Sequence, residues 1–200
     1  MYEENGKSDL RKKLDEIKNF TCKNLIVVVE NPSDWKNIGA VIRNVNALGA
    51  EKVYVVDEAR KLPEEWQDMR VHKTLFKISA SAVKWSFVKR FDDSKSCIEH
   101  LKKNGFISYV TSPHKSERKN FNLEACDFTK HKKLALWFGN ETTGISDFIY
   151  ENTDVCVNIP MHGIIESLNL ATSTGIVLYE TTKQRRAYQN MKRNNITNNS

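Results

Sequence analysis

Two apolar runs, Leu134 to Phe138 and Val155 to Ile159, each end in a polar turn, Gly139-Asn140-Glu141 and Pro160-Met161. A third cluster, Glu166-Ser167-Leu168-Asn169, opens a long helical pattern that runs to about Asn190. Upstream, Leu25 to Val29 is an unbroken apolar run ending in three valines, suited to a strand buried on both faces. Ile38, Val41, Ile42, Val45 and Leu48 repeat at helical spacing, and Gly49 is a natural C-terminal stop. Val53 to Val56, a weaker Trp85 to Val88 and Phe106 to Val110 give further strands. Residues 64–72 and Asp93 to Asn104 give helices, the latter with Ile98 and Leu101 inward and Gly105 as its stop. Short apolar strands alternating with helices predict one α/β domain with a mostly parallel sheet flanked by helices. Ligands bind at the carboxyl ends of such strands, so the three polar clusters mark a pocket. No G-x-G-x-x-G follows the first strand and no P-loop is present, which argues against a dinucleotide dehydrogenase or an NTPase.

Composition narrows the partners. The chain has 200 residues, with 40% hydrophobic and 28% charged residues, enough for one domain with a substantial core. No apolar run approaches the roughly 18 residues a membrane span needs. The first residues lack the apolar core of a signal peptide, so a cytoplasmic protein with no membrane partner is expected. Cys22, Cys97, Cys126 and Cys156 lie far apart and form no C-x-x-C pair; they read as reduced and structural, and no metal is expected. The net charge of +6 is segregated. Arg70, Lys73, Lys77, Lys84, Lys89 and Arg90 follow one another without an acid, as do Lys183, Arg185, Arg186, Lys192 and Arg193. Such segregation is a footprint for phosphates, or else the solvated face of ordinary helices. Leu10, Leu14, Ile17 and Phe20 are spaced for an N-terminal helical extension over 1–22, and residues 191–200 read as a disordered tail.

Three ordered motifs give the chain a family. They are Asn37-Ile38-Gly39 with Arg43, Phe138-Gly139-Asn140-Glu141 with Gly144-Ile145-Ser146, and Ile159-Pro160-Met161 with Gly163 and Ser167-Leu168-Asn169. Together they resemble the SpoU/TrmH family of RNA 2′-O-methyltransferases, in the SPOUT superfamily, from about Leu25 to Tyr188. The segments Ser79 to Trp85 and Leu178 to Arg186 are most similar to its tRNA (guanosine-2′-O-)-methyltransferase branch. Two departures are a longer gap, Ser33 to Lys36, before Asn37, and Thr142-Thr143 after the motif glutamate.

The resemblance implies a methyltransferase domain over 23–190 with a C-terminal trefoil knot, which general rules of chain topology would reject. It also implies a homodimer with sites at the subunit interface, and S-adenosyl-L-methionine as cofactor. The implied reaction methylates a ribose 2′-hydroxyl of RNA, a D-loop guanosine of tRNA in the first place. An rRNA methyltransferase of the same family, or a non-catalytic RNA-binding protein on this fold, are the alternatives.

Site residues follow from the motifs. Arg43 is assigned to the acceptor side, binding a phosphate and stabilising the nascent alkoxide; the competing reading is a surface arginine facing away from the Ile38, Ile42 and Val45 stripe. Asn37 orients Arg43 or the ribose, or simply caps its helix. Glu141 positions Arg43 or Asn169, or accepts a hydrogen bond from the cofactor region; the competing reading is a solvated loop carboxylate. Ser167 and Asn169 hydrogen-bond substrate at the start of the last helix, where Ser167 is also a natural N-cap. Thr111, Gly139, Ile159 and Leu168 are the cofactor contacts, Gly139 because a missing side chain lets a ligand approach the backbone. Arg11, Lys12, Lys84, Arg185 and Arg186 are the RNA contacts, with Trp85 either stacking on RNA or buried in the core.

Overall fold

The computed structural model describes residues 16–17, 21–113, 120–153 and 155–197. Seven strands form a single sheet: β1 (Cys22–Glu30), β2 (Ala50–Val56), β3 (Phe87–Phe91), β4 (Ile107–Thr111), β5 (Asn120–Asn122), β6 (Leu134–Phe138) and β7 (Val155–Asn158). Their order is β3-β2-β1-β6-β4-β7-β5, and every pairing is parallel. The expected mostly parallel α/β sheet is therefore what forms. Leu25 to Val29 lie at the centre of the sheet, each 0–1% exposed. Their alternation splits the core in two. Leu25, Val27 and Val29 face one layer of helices, and Ile26 and Val28 face the other. Each such side chain removed from water contributes about 1.5–3 kcal/mol, so the uninterrupted run explains why this strand is central.

The first layer contains α1 (Trp35–Leu48) and α6 (Leu170–Thr197), which pack on each other. The Asp34 side chain accepts from Lys36 N at the start of α1, and Gly49 closes it in the left-handed region at φ 73°. Gly39 lies where α1 meets the short helix α3 (Lys73–Ile78): a Cβ there would stand 2.6 Å from the Ile78 side chain. The motif glycine is thus explained by helix packing. The second layer contains α4 (Ser94–Lys103), with Cys97, Ile98 and Leu101 inward, and α5 (Asp147–Glu151), through Ile149. Before α3 runs α2 (Trp66–Val71), which lies within the helix expected over 64–72.

Three expectations need correction. The strand expected over Trp85 to Val88 is Phe87–Phe91, preceded by a 3-10 turn at Ala82–Lys84. It is an edge strand, where Lys89 and Arg90 are tolerated because one side pairs with no other described strand, and those charges hid it. Trp85 is 48% exposed and is not a core residue. The closing helix begins at Leu170 rather than Ser167, and it runs to Thr197. Residues 191–197 are therefore helical, not a disordered tail. The N-terminal helical extension falls, but for residues 16–17, which are helical, and 21–22, outside the described residues, as do Arg11 and Lys12. No helix among the described residues is long and apolar enough to cross a membrane.

Candidate active site

At the carboxyl end of β6 the chain makes a tight loop, Gly139 to Ser146. Asn140 N donates to Gly144 O and Gly144 N to Asn140 O, both at 2.9 Å. The Asn140 side chain fixes the interior of the loop by accepting from Thr142 N and Thr143 N. Its Nδ2 donates to Asn31 O, just past the end of β1. A Cβ on Gly139 would stand 2.1 Å from Gly144 C and 2.3 Å from Ile145 N. Glycine is therefore required first by the loop itself, whose backbone already occupies that space. Gly144, at φ 71°, is the left-handed residue that turns the chain back.

A buried acid anchors the far side of the loop. Glu30, 2% exposed at the end of β1, accepts from Ser146 N at 2.8 Å and Ser146 Oγ at 2.6 Å. Ser94 Oγ, at the start of α4, donates to the same carboxylate. Sequence reasoning did not single out Glu30 and gave Asn140, though part of the motif, no role. The available signal was an acid directly after a wholly apolar strand, at the end of the sheet where ligands bind.

A second network joins the three motifs. Glu141 Oε2 accepts from Ser33 N at 2.9 Å and Ser33 Oγ at 2.8 Å, and its Oε1 accepts from Asn37 Nδ2. Asn37 Oδ1 in turn accepts from Asn169 Nδ2 at 3.0 Å. Asn169 Oδ1 then accepts from Ala171 N and Thr172 N, capping α6. Glu141, Asn37 and Asn169 thus form one line from the β6 loop, across the first turn of α1, to the N-terminus of α6. Burial pushes the Glu141 carboxyl up, but the hydrogen bonds from Ser33 and Asn37 outweigh it and hold it below its ordinary value. The assignment of caps is corrected here. Asp34, not Asn37, caps α1, and Asn169, not Ser167, caps α6. Asn37 can donate to Glu141 because it is already inside the helix. The longer Ser33 to Lys36 gap supplies the two Ser33 donors to Glu141.

Beside this network is a cavity of about 280 Å³ at the carboxyl ends of β4, β6 and β7, lined among others by Thr111, Gly139, Glu141, Ile159, Ser167 and Leu168. All four residues expected to contact a cofactor therefore line one recess. Thr111 Oγ1 is engaged with Trp137 O at 2.9 Å, tying β4 to β6, so it contributes position more than a free hydroxyl. Ile159 packs against the core, and Leu168 is 37% exposed at the rim. The 162–169 segment is exposed throughout, with Ile164 at 99%.

The remaining predicted residues do not converge on this recess. Arg43 is exposed on α1 and makes no hydrogen bond or ion pair among the described residues. Lys84 is exposed, its Nζ 4.7 Å from the centre of the Phe76 ring. Arg185 contradicts its assignment as an RNA contact. It is 8% exposed, and its guanidinium donates to Phe128 O, His131 O and Lys132 O. With three of its donors on carbonyls, it braces the loop before β6. Arg186 is half-buried and donates to Leu48 O at the end of α1. Among the described residues no group of His, Cys, Asp and Glu is arranged to hold a metal ion.

Residues 24–179 match the SpoU rRNA methylase family. A tRNA (guanosine(18)-2′-O)-methyltransferase of Aquifex aeolicus is 30% identical over 174 residues, covering 87% of this chain and 76% of that protein. A 23S rRNA (guanosine-2′-O-)-methyltransferase of Blochmanniella floridana is 34% identical over 167 residues, 83% of this chain and 59% of its own. Among solved structures, the A. aeolicus TrmH/SpoU tRNA modifying enzyme superposes with a TM-score of 0.73 at 30% identity, covering 90% of this chain and 86% of that one. The methyltransferase AviRb of Streptomyces viridochromogenes, solved with AdoMet, gives 0.65 at 26% identity over 82% of this chain and 58% of its own. With residues 24–179 matched, most of its length, the chain belongs to the SpoU methylase family.

Proposed function

We propose that this protein methylates a ribose 2′-hydroxyl of RNA with S-adenosyl-L-methionine, and that its substrate is a D-loop guanosine of tRNA. The observation that carries the reading is the Glu141–Asn37–Asn169 line beside the recess at the carboxyl ends of β4, β6 and β7. The recess suits the cofactor: three chain turns converge there, and backbone groups of Gly139, Ile159 and Leu168 would hold it. When bound, S-adenosylmethionine supplies an electrophilic methyl group on a sulfonium. The chain's own task is to orient the ribose and offset charge as the hydroxyl loses its proton. Arg43 serves by binding a phosphate and stabilising the developing alkoxide through its guanidinium. Asn37 and Glu141 keep the polar groups of the acceptor side in one orientation, and Ser167 offers a hydroxyl at the rim.

Arg43 is not among the residues lining the recess of its own chain, which supports the reading that a homodimer assembles the full site. Ile176 and Tyr179, on one face of α6, are 38% and 61% exposed and suit such an interface, while Val177 and Leu178 are buried in the monomer. The proposal includes a cytoplasmic methyltransferase domain over 23–190 whose last segment is threaded as a trefoil knot. Light scattering giving a monomer mass across micromolar concentrations would count against the dimer, and an experimental backbone trace tests the knot.

The direct test is ligand binding followed by product mapping. S-adenosylmethionine or S-adenosylhomocysteine should raise the thermal midpoint by mass action. Methyl transfer to tRNA should then map to a D-loop guanosine; transfer to rRNA alone would favour the other substrate, as the 34% identity to an rRNA enzyme allows. Arg43→Ala should lower the rate at least ~10²-fold with cofactor affinity kept, as for a main electrostatic contributor. Near-normal turnover of that variant would make Arg43 a bystander.

A further inference from the structure

At the opposite end of the sheet is a second recess, enclosed by the start of β1, the loop before β6 and the later turns of α6. Lys23, Lys130, His131, Lys132 and Lys192 line it, with Arg185 at its base; among the described residues no Asp or Glu lines it, and the adjoining Asp127 is taken up by hydrogen bonds from Thr129. Lys23, Lys130, Lys132 and Lys192 are exposed. Arg185 is buried but meets only carbonyl oxygens, so its charge is not offset by a carboxylate in its contacts. The same three hydrogen bonds hold the loop that presents Lys130 and Lys132. A concave, low-dielectric surface lined by one sign of charge focuses potential on whatever enters it.

We propose that this recess is a second RNA-binding site, gripping the sugar-phosphate backbone of the substrate at a distance from the methylated ribose. The inference rests on the RNA methyltransferase reading of the first site. The ligand class follows from the lining: exposed lysines that outnumber the adjoining Asp127, which is itself engaged by Thr129, on an open surface, suit a chain of phosphates. The distance follows from α6, which runs from Leu170 beside the first recess to Lys192 in the second. At 1.5 Å per residue that is about 33 Å. A nucleic-acid strand stacked at about 3.4 Å per nucleotide needs roughly ten nucleotides to cover it. The two recesses together therefore select a long or folded RNA over a short oligonucleotide that carries only the target ribose.

The test compares two triple variants of equal charge change: Lys130→Gln with Lys132→Gln and Lys192→Gln in the recess, against Lys95→Gln with Lys102→Gln and Lys103→Gln on α4, on the other face of the sheet. Affinity for a folded tRNA transcript is measured across salt concentrations, and S-adenosylhomocysteine affinity alongside. The recess variant should flatten the plot of log affinity against log salt by roughly 0.7–0.9 for each phosphate it no longer neutralises, about 2 to 3 in all. The α4 variant should keep the wild-type slope, and a five-nucleotide RNA should bind the wild type and the recess variant alike. Equal slopes for the two variants, in a protein that still methylates RNA, would overturn the recess proposal alone. A wild type that binds S-adenosylhomocysteine but no RNA would overturn both readings.

Discussion

The two ends of one parallel sheet are built on opposite plans. At the carboxyl end, polar groups are neutral or acidic, short-range and spent on each other: Asn140 within its own loop, Glu30 on Ser146 and Ser94, Glu141 on Ser33 and Asn37. At the amino end, cations from β1, the loop before β6 and α6 are brought together with no carboxylate among the described lining residues. The first plan fixes backbone shape, which a ligand held through backbone groups requires. The second gathers positive charge at the surface, which a polyanion requires. The contrast between positioning by hydrogen bonds and attraction by charge can be tested by damaging each end separately.

The largest effect is expected at Gly139. Gly139→Ala places a methyl group within 2.4 Å of three backbone atoms of Gly144 and Ile145, so the loop must open. Cofactor affinity should fall below detection by calorimetry while the far recess keeps its RNA salt dependence. A variant that binds cofactor normally would show that the loop geometry is not what the ligand needs. Next is Arg185→Met, which keeps the stem and removes the guanidinium. Leaving buried carbonyls of the 128–132 loop without their charged donor should cost about 3 kcal/mol in denaturant unfolding. A loss below about 1 kcal/mol would return Arg185 to the surface role that sequence suggested.

The contrast also explains what sequence revealed. Strands β1 and β6 were legible because a strand buried on both faces must be apolar throughout, and α1 because its stripe and Gly49 are local signals. The carboxyl-end site was legible because each motif is contiguous and sits where a strand or helix ends. Edge strand β3 was misplaced because pairing on one side relaxes the apolar requirement, and β5, three residues long, carries too little pattern to see. Arg185 was misread because nothing near it in sequence announces carbonyls from 128–132. A signal did exist: Leu170, Thr174, Val177, Leu178, Thr181 and Arg185 continue one buried helical stripe, so Arg185 points inward. The amino-end recess was not legible at all, since Lys23, Lys130 and Lys192 become neighbours only through the sheet.

A smaller effect is expected for Asn37→Ala, which cuts the line between Glu141 and Asn169. The site is exposed, so stability should fall by only about 1 kcal/mol. The rate should fall roughly 10-fold or more if orientation by this line matters, since small misplacements at an active site are costly. Asn37→Asp is the sharper companion, because it sets a second carboxylate against Glu141 and should be slower than the alanine variant above neutral pH. Equal rates for wild type and both variants would reduce the line to a structural tie.

The smallest effect separates the two ends by pH. Glu141 is held below its ordinary value in the folded protein, because the Ser33 and Asn37 hydrogen bonds favour its charged form over the opposing effect of burial. A depressed carboxyl contributes stability that is fully present above its unfolded value, about 4.3, and is lost as pH falls through the lower folded value. The guanidinium of Arg185 stays protonated across that range, so its contribution does not change there. Thermal midpoints of wild type, Glu141→Gln and Arg185→Met should therefore be measured from neutral pH to below 4. The gap between wild type and Glu141→Gln should be modest at neutral pH, because the carboxylate is partly exposed, and should close as the solution is acidified through the carboxyl range. The gap between wild type and Arg185→Met should stay constant. If the Glu141 gap is also constant, its carboxylate charge contributes nothing that the neutral amide does not, and the carboxyl-end network works by shape alone.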